Sequence, residues 1–229
     1  MQKALVLVSG GLDSATCLAL AVKEYGLDNV IALSSYYGQK HDKELEASKK
    51  IAEYYNVKRI EIDLTEAFKY SDCTLLKDNN DIPEQSYAEQ LEKQKGEPVS
   101  TYVPFRNGLF LSVACSIAIS NDCSIIYYGA HADDCAGNAY PDTSVSFNNY
   151  MASAMWLGSG GKVTLLTPFI ASGKDEVVKK GLELGVPFEL TWSCYNGRDK
   201  ACGKCGTCID RLKAFKANGV SDPIKYEEE

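Results

Sequence analysis

Three features of this sequence predict an α/β fold, an open parallel sheet with helices on both faces. Five short runs rich in β-branched and aliphatic residues alternate with segments of helical periodicity, the alternation that βαβ units produce. Runs such as Ala4 to Val8 are apolar throughout, as suits strands buried on both faces, and right-handed crossovers wind such strands into one layer. The first run stops at Ser9-Gly10-Gly11, where a helical pattern begins at once. The carboxyl end of that strand is therefore a glycine turn, and open α/β sheets bind ligands along that edge, where the strand order reverses.

Taken in order, the predicted strands are "ALVLV" at 4–8, "VIALSSY" at 30–36, "VKRIEIDL" at 57–64, "CSIIYYG" at 123–129 and "KVTLLTPF" at 162–169. The mostly apolar stretch from Leu109 to Ile119 is too short to span a bilayer and reads as a buried helix. Between Glu66 and Ser100 the pattern fails: "KDNNDIPEQSYAEQLEKQKGEP" is polar and carries two prolines. An insertion of this kind is read as a flap or partly disordered loop, either a lid beside a ligand crevice or a surface excursion. The expected organisation is one α/β domain over 1–190 with the insertion near 66–100, then a C-terminal segment, 191–229, packed on the same domain. The closing "EEE" reads as a solvated tail.

With 229 residues, 45% hydrophobic and 24% charged, the chain has enough apolar content for a substantial core. A net charge of -7 argues against the basic surface on which nucleic-acid binding normally starts, and favours a small substrate. The opening apolar run ends at Ser9 with Asp13 close behind, unlike a secretory leader, so a cytoplasmic protein that does not enter membranes is expected. The nine cysteines are odd in number and the last four are clustered, a pattern of thiolates in a reducing compartment rather than of disulfides. Cys17, Cys73, Cys115, Cys123 and Cys135 are scattered and read as small core fillers.

The glycine turn fits neither common nucleotide motif. No Lys-Ser or Lys-Thr follows the glycines, as a Walker loop requires, and the adjacent glycines do not match G-x-G-x-x-G. What remains is S-G-G-x-D-S at a strand-to-helix turn, which resembles the signature of the ATP-pyrophosphatase (PP-loop) family. The glycines let the main chain approach a phosphate chain closely, and the helix N-terminus adds partial positive charge. Ser9 and Ser14 can donate to phosphate oxygens, while Asp13 can cap the helix or help hold Mg²⁺. A tight turn with Asp13 as N-cap and nothing bound is the plainer alternative. The resemblance implies an adenine nucleotide alpha hydrolase-like fold and cleavage of ATP between its α- and β-phosphates to adenylate a substrate oxygen. Val8, Ser9, Gly10, Gly11, Leu12, Asp13 and Ser14 would then form the ATP site, with Asp13 and Ser14 also catalytic.

Cys194, Cys202, Cys205 and Cys208 form a C-x7-C-x2-C-x2-C array in which Gly203 and Gly206 free the backbone to turn. Four thiolates at this spacing suit tetrahedral Zn²⁺, and with every position taken by sulfur the metal would be structural. An iron–sulfur cluster is the rival, since some PP-loop relatives carry one.

Five segments, "SGGLDSATCL", "YYGQKH", "VPFRNGLFLSVA", "NAYPD" and "WSCYNG" leading into the cysteines, resemble the 7-cyano-7-deazaguanine synthase family in content and order. That resemblance implies a carbon–nitrogen ligase of queuosine biosynthesis that uses ATP to convert 7-carboxy-7-deazaguanine and ammonia to the nitrile through adenylated acid and amide intermediates, and it suggests a homodimer. Arg106 and Lys174 are the candidate cations for phosphate and developing negative charge. Gln39 and His41 are candidates for contacting nucleotide or ordering the second loop. Asp133, Tyr140 and Asp142 are the candidate substrate contacts, because a guanine-like ring offers N–H donors to carboxylates and flat faces to aromatics. His131 and Asp134 are possible secondary contacts. Two alternatives stand beside this reading: another PP-loop pyrophosphatase, such as an amide synthetase or tRNA thiolase, and a zinc-stabilised nucleotide-binding module without catalysis.

Overall fold

Strand β1 (Ala4–Leu7) lies at the centre of a five-stranded sheet of order β3-β2-β1-β4-β5 in which every pair is parallel. The other strands are β2 (Val30–Tyr36), β3 (Lys58–Asp63), β4 (Ile125–Tyr127) and β5 (Thr164–Leu166). The computed structural model describes residues 2–76, 81–95 and 97–227. All five predicted runs are strands, and β4 and β5 are shorter than the runs that contain them. β3, at the edge, alternates exposed and half-buried residues.

The sheet is covered on both faces because the pleat sends alternate side chains of β1 to opposite sides. Ala4, Val6 and Val8 join a core built with α1 (Leu12–Tyr25), α2 (Lys43–Tyr54) and α7 (Lys174–Leu184). Leu5 and Leu7 join a second core under α5 (Arg106–Ser120) and α6 (Val145–Gly158). The apolar stretch at 109–119 thus lies in α5, with Leu111, Ala114 and Ala118 buried and Ile119 exposed. β1 has β2 on one side and β4 on the other, so the chain reverses its direction of travel across the sheet there. The crevice at the carboxyl ends of β1 and β4 is the ligand position that such a reversal creates.

The polar insertion has more structure than its composition suggests. It contains α3 (Thr65–Phe68) and α4 (Tyr87–Gln94). α4 starts with a capping box in which Glu89 N–H donates to Ser86 Oγ at 3.3 Å and Ser86 N–H donates to Glu89 Oε2 at 2.9 Å. Thr74 closes the base of the insertion, its N–H and hydroxyl both donating to the Ser100 carbonyl at 3.0 Å. Phe68, Cys73, Leu75, Leu76 and Ile82 are buried in a cluster shared with the four C-terminal cysteines. Residues 77–80 and 96 of the predicted loop lie outside the described residues.

α8 (Gly206–Ala217) packs on α7 and sends Ala214 and Phe215 into the first core. Arg211 on α8 is fully buried and forms a two-pronged pair with Asp222, at 2.6 and 2.9 Å; it also donates to Thr191 Oγ1 at 2.7 Å and to the Phe188 carbonyl at 3.2 Å. The "EEE" end departs from a solvated tail at its first residue. Glu227 N–H donates to the Ala201 carbonyl at 2.8 Å and its carboxylate pairs with Arg198 at 2.9 Å; Glu228 and Glu229 lie outside the described residues. Of the scattered cysteines, Cys17, Cys73 and Cys123 are buried and Cys115 and Cys135 are half-buried; burial pushes the Cys17 thiol well above its ordinary value, as befits a core filler. Among the described residues no helix is long and apolar enough to cross a membrane.

Removing one partner of a buried ion pair strands the other charge. Asp222→Ala is expected to cost about 3–5 kcal/mol and to lower the thermal unfolding midpoint by roughly 6–20 °C, measurable by calorimetry.

Candidate active site

The glycine turn is shaped by a backbone contact. Gly10 has φ +96°, and a Cβ there would run into the Glu44 carbonyl and lie 2.9 Å from Ser48 N, so the first turn of α2 rests directly on it. The Gly10 carbonyl accepts the Trp192 N–H at 2.9 Å, which ties the C-terminal segment to the same turn. Gly11 is the N-cap of α1 and supplies no side-chain cap, leaving the first N–H groups of the helix to face the cleft as an anion seat. Ser9 Oγ lies 3.2 Å from Ser14 Oγ, and Ser14 donates to the Gly11 carbonyl at 3.0 Å. At the end of β4, a Cβ on Gly129 would lie 3.1 Å from the Asp13 carbonyl carbon, so the strand presses against the first turn of α1.

Asp13 stands inside that first turn and is not its cap. Its Oδ2 lies 3.7 Å from Lys174 Nζ, and its buried Oδ1 has no hydrogen bond. Lys174, the first residue of α7, is held by Asp133 Oδ2, which accepts its N–H at 2.7 Å. Burial pulls the Lys174 ammonium pKa down, but Asp13 and Asp134, with Asp210 and Asp133, outweigh it and hold the group above the ordinary lysine value. His131 is buried, with Nε2 3.2 Å from Asp134 Oδ1 and 3.7 Å from Asp13 Oδ1. Burial raises the Asp134 carboxyl pKa, opposed by His131 and Lys174. One end of the cleft is thus a compact set of alternating charges around a cationic lysine.

At the other end, Arg106 starts α5. Its Nη1 donates to Tyr37 Oη at 3.0 Å, and the guanidinium lies over the Tyr37 and Phe110 rings at 5.2 and 5.8 Å. Its Nε is buried without a partner, a donor short of an acceptor. Tyr140 Oη lies 2.7 Å from Thr101 Oγ1, 3.3 Å from Tyr87 Oη and 3.4 Å from Tyr195 Oη. Tyr87 comes from α4 of the insertion, and its ring rests on Gly206, where a Cβ would come within 2.8 Å. Glu44, in the first turn of α2, also lines the cleft; burial pushes its carboxyl up to about 7, against the opposing effect of Arg106. The cavity measures about 210 Å³.

Of the residues singled out from sequence, Val8, Ser9, Gly11, Asp13, Ser14, Gln39, Arg106, Tyr140 and Lys174 line this one cleft. Five do not. Gly10 faces α2, and Leu12 is wholly in the core. His41 is turned away, its Nε2 3.1 Å from the Tyr195 carbonyl and its ring against Gly197, with burial lowering its pKa. Asp133 is occupied by the α7 N-terminus. Asp142, expected at the substrate, is 3% exposed and accepts both the Asn107 N–H at 2.9 Å and its Nδ2 at 3.0 Å; it fixes the start of α5 and so places Arg106. Sequence reading passed over Tyr37, Glu44, Tyr87, Trp192 and Tyr195, which line the cleft. Tyr37, Trp192 and Tyr195 lie inside the quoted segments "YYGQKH" and "WSCYNG", whereas Tyr87 sits in a polar insertion and Glu44 in what reads as a solvated helix face.

The sulfurs of Cys194, Cys202, Cys205 and Cys208 are buried and lie within 4.8 Å of one another. Backbone N–H groups of Cys202, Lys204 and Cys205 point at these sulfurs at 3.3–3.4 Å. Zinc–sulfur bonds of about 2.3 Å in a tetrahedron set sulfurs roughly 3.8 Å apart, so the four fit a single ion.

A family model described as queuosine biosynthesis protein QueC matches residues 3–219. A 7-cyano-7-deazaguanine synthase of Pseudoalteromonas atlantica is 41% identical over 227 residues, 99% of this chain and 100% of that protein. One of Picrophilus torridus is 45% identical over 235 residues, covering 100% of this chain and 93% of that protein. Among solved structures, the U34-tRNA thiolase NcsA of Methanococcus maripaludis with its [4Fe-4S] cluster superposes with a TM-score of 0.53 at 17% identity, over 95% of this chain and 67% of that one. The NMN synthetase of Francisella tularensis gives 0.51 at 18% identity, over 96% and 78%. These two likenesses establish the PP-loop fold.

Asp142→Ala leaves both Asn107 donors without their acceptor and is expected to lower stability by about 1–3 kcal/mol, read as a shifted urea midpoint with an unchanged slope.

Proposed function

Because the chain belongs to the family of queuosine biosynthesis protein QueC, we propose that it is an ATP-dependent ligase converting 7-carboxy-7-deazaguanine and ammonia to 7-cyano-7-deazaguanine. The observation that carries this reading is the uncapped N-terminus of α1 opening into the same cleft as Lys174 at one end and the unpartnered Arg106 Nε at the other. A seat for phosphates and a receptor for a second, flat anion share one cavity.

A carboxylate is a poor electrophile and its oxygen does not leave. ATP supplies the remedy, since attack of the carboxylate on the α-phosphorus releases pyrophosphate and turns that oxygen into part of AMP. Ammonia then displaces AMP to give the amide, and a second activation at the amide oxygen, with loss of two N–H protons, leaves the nitrile. The protein's part is alignment and charge neutralisation. The α1 N–H groups with Ser9 and Ser14 hold the pyrophosphate end, while Lys174, kept cationic by Asp13 and Asp134, takes up charge on the phosphates. Asp13, with its orphaned buried Oδ1, fits a Mg²⁺ ligand. Gln39, Tyr140 and the surrounding tyrosines form the walls for the ring. The four cysteines hold a structural zinc: a cubane placed between them would spread the sulfurs beyond the observed separation, whereas one ion fits it. The cleft is small and the net charge is -7, which favours small molecules over tRNA. Cysteines without disulfides among the described residues suit the cytoplasm. Tyr150, Trp156 and Leu157, exposed on α6, offer a face for a homodimer.

Purified protein given Mg²⁺-ATP, 7-carboxy-7-deazaguanine and ammonium is expected to yield the nitrile by mass spectrometry and to release pyrophosphate. Lys174→Ala should lower kcat/KM by about 10²–10³-fold, and elemental analysis should find one zinc per chain. Turnover with tRNA and a sulfur donor, but none with the deazaguanine, would overturn the reading.

A further inference from the structure

A 7-deazaguanine ring presents two parallel donors, the ring N–H and one N–H of the exocyclic amino group, and the natural complement is a carboxylate accepting both. The two carboxylates singled out for that task are engaged elsewhere: Asp142 by Asn107 and Asp133 by the α7 N-terminus. The cleft is lined by three others, Asp13, Asp134 and Glu44. Asp13 faces Lys174 and His131, and Asp134 is set against His131 and accepts its N–H at 3.3 Å. Both belong to the phosphate end.

Glu44 differs. Among the described residues no hydrogen bond or ion pair engages its carboxylate, although it lines the cleft beside the aromatic walls of Tyr37, Phe110 and Tyr195. Burial holds its carboxyl up to about 7 with Arg106 opposing, the condition of an acceptor that lacks donors. Two donors on the same cavity complete the pattern. Arg106 Nε is buried and unpartnered, and Gln39 is turned so that its Oε1 accepts the Tyr37 N–H at 2.9 Å, which leaves its amide N–H groups as donors. A wall with a twin acceptor and neighbouring donors matches a ring whose N–H edge adjoins a carbonyl oxygen.

Resting on the ligase reading above, we propose that Glu44 is the specificity-determining carboxylate that accepts the ring N–H and amino N–H of the substrate's pyrimidine edge. Gly10 strengthens the assignment, because α2 lies directly on the glycine turn at Glu44 itself. The residue that reads the ring is thereby fixed in position relative to the phosphate seat.

The test is calorimetric binding of 7-carboxy-7-deazaguanine and of its analogue lacking the amino group to the native protein, Glu44→Gln and Glu44→Ala, with Mg²⁺-ATP binding measured on each. The native protein should prefer the amino-bearing ligand by roughly 10- to 100-fold, and both variants should bind the two ligands alike while keeping their Mg²⁺-ATP affinity. Variants that retain the preference overturn the Glu44 assignment and leave the ligase reading intact. Loss of Mg²⁺-ATP binding in Glu44→Gln overturns it too, because Glu44 would then be serving the glycine turn. A native protein that binds Mg²⁺-ATP but neither ring overturns both.

Discussion

The geometry of the cleft depends on one close approach, the main chain of Gly10 against the first turn of α2. Without a side chain at that point, β1 can turn at once into α1 while α2 closes down from the side. Three consequences share this origin. The N-terminus of α1 is left uncapped toward the cleft, Glu44 is brought to its wall, and the Gly10 carbonyl is free to accept Trp192 N–H from the C-terminal segment. The phosphate seat, the carboxylate and the tether to the cysteine-bearing segment thus meet around a single residue.

The two ends of the cleft are stabilised differently. At the phosphate end a lysine is kept charged by surrounding carboxylates, and the buried His131 is packed among them. At the far end the half-buried Arg106 has a phenol and two aromatic faces for company, an arrangement that leaves its charge available to an incoming anion. Tyr87 and Tyr195 join that wall from the insertion and from the segment next to Cys194. The insertion and the four cysteines share a hydrophobic cluster, so the metal-holding segment and the substrate wall are parts of one packed unit.

The sheet was legible in the sequence because the inner strands lie in mostly apolar runs, as burial on both faces requires, while edge strand β3 shows the alternation of a half-exposed strand; all five runs form strands. The phosphate turn was legible for a similar reason: a positive φ beside a close backbone contact demands glycine. Long-range contacts left no such trace. Asp142 after Pro141 has the appearance of a substrate carboxylate, and only the fold brings Asn107 to it. His41 is held by the Tyr195 carbonyl, from a residue distant in sequence, with Gly197 leaving room for its ring. Glu44 was hidden because its polarity suits a solvated helix, whereas the fold sets it on the cleft wall with Arg106 nearby. The insertion has a small core that its polar composition does not reveal, because cysteines from the other end of the chain complete it.

The central claim is that the glycine turn seats ATP so that the substrate's own carboxylate attacks the α-phosphorus. Turnover of 7-carboxy-7-deazaguanine labelled with ¹⁸O in both carboxyl oxygens, followed by mass spectrometry of the nucleotide products, tests this most directly. The account predicts that the AMP formed carries one labelled oxygen derived from the substrate. AMP without label, with the heavy oxygen recovered in phosphate or water, would contradict it.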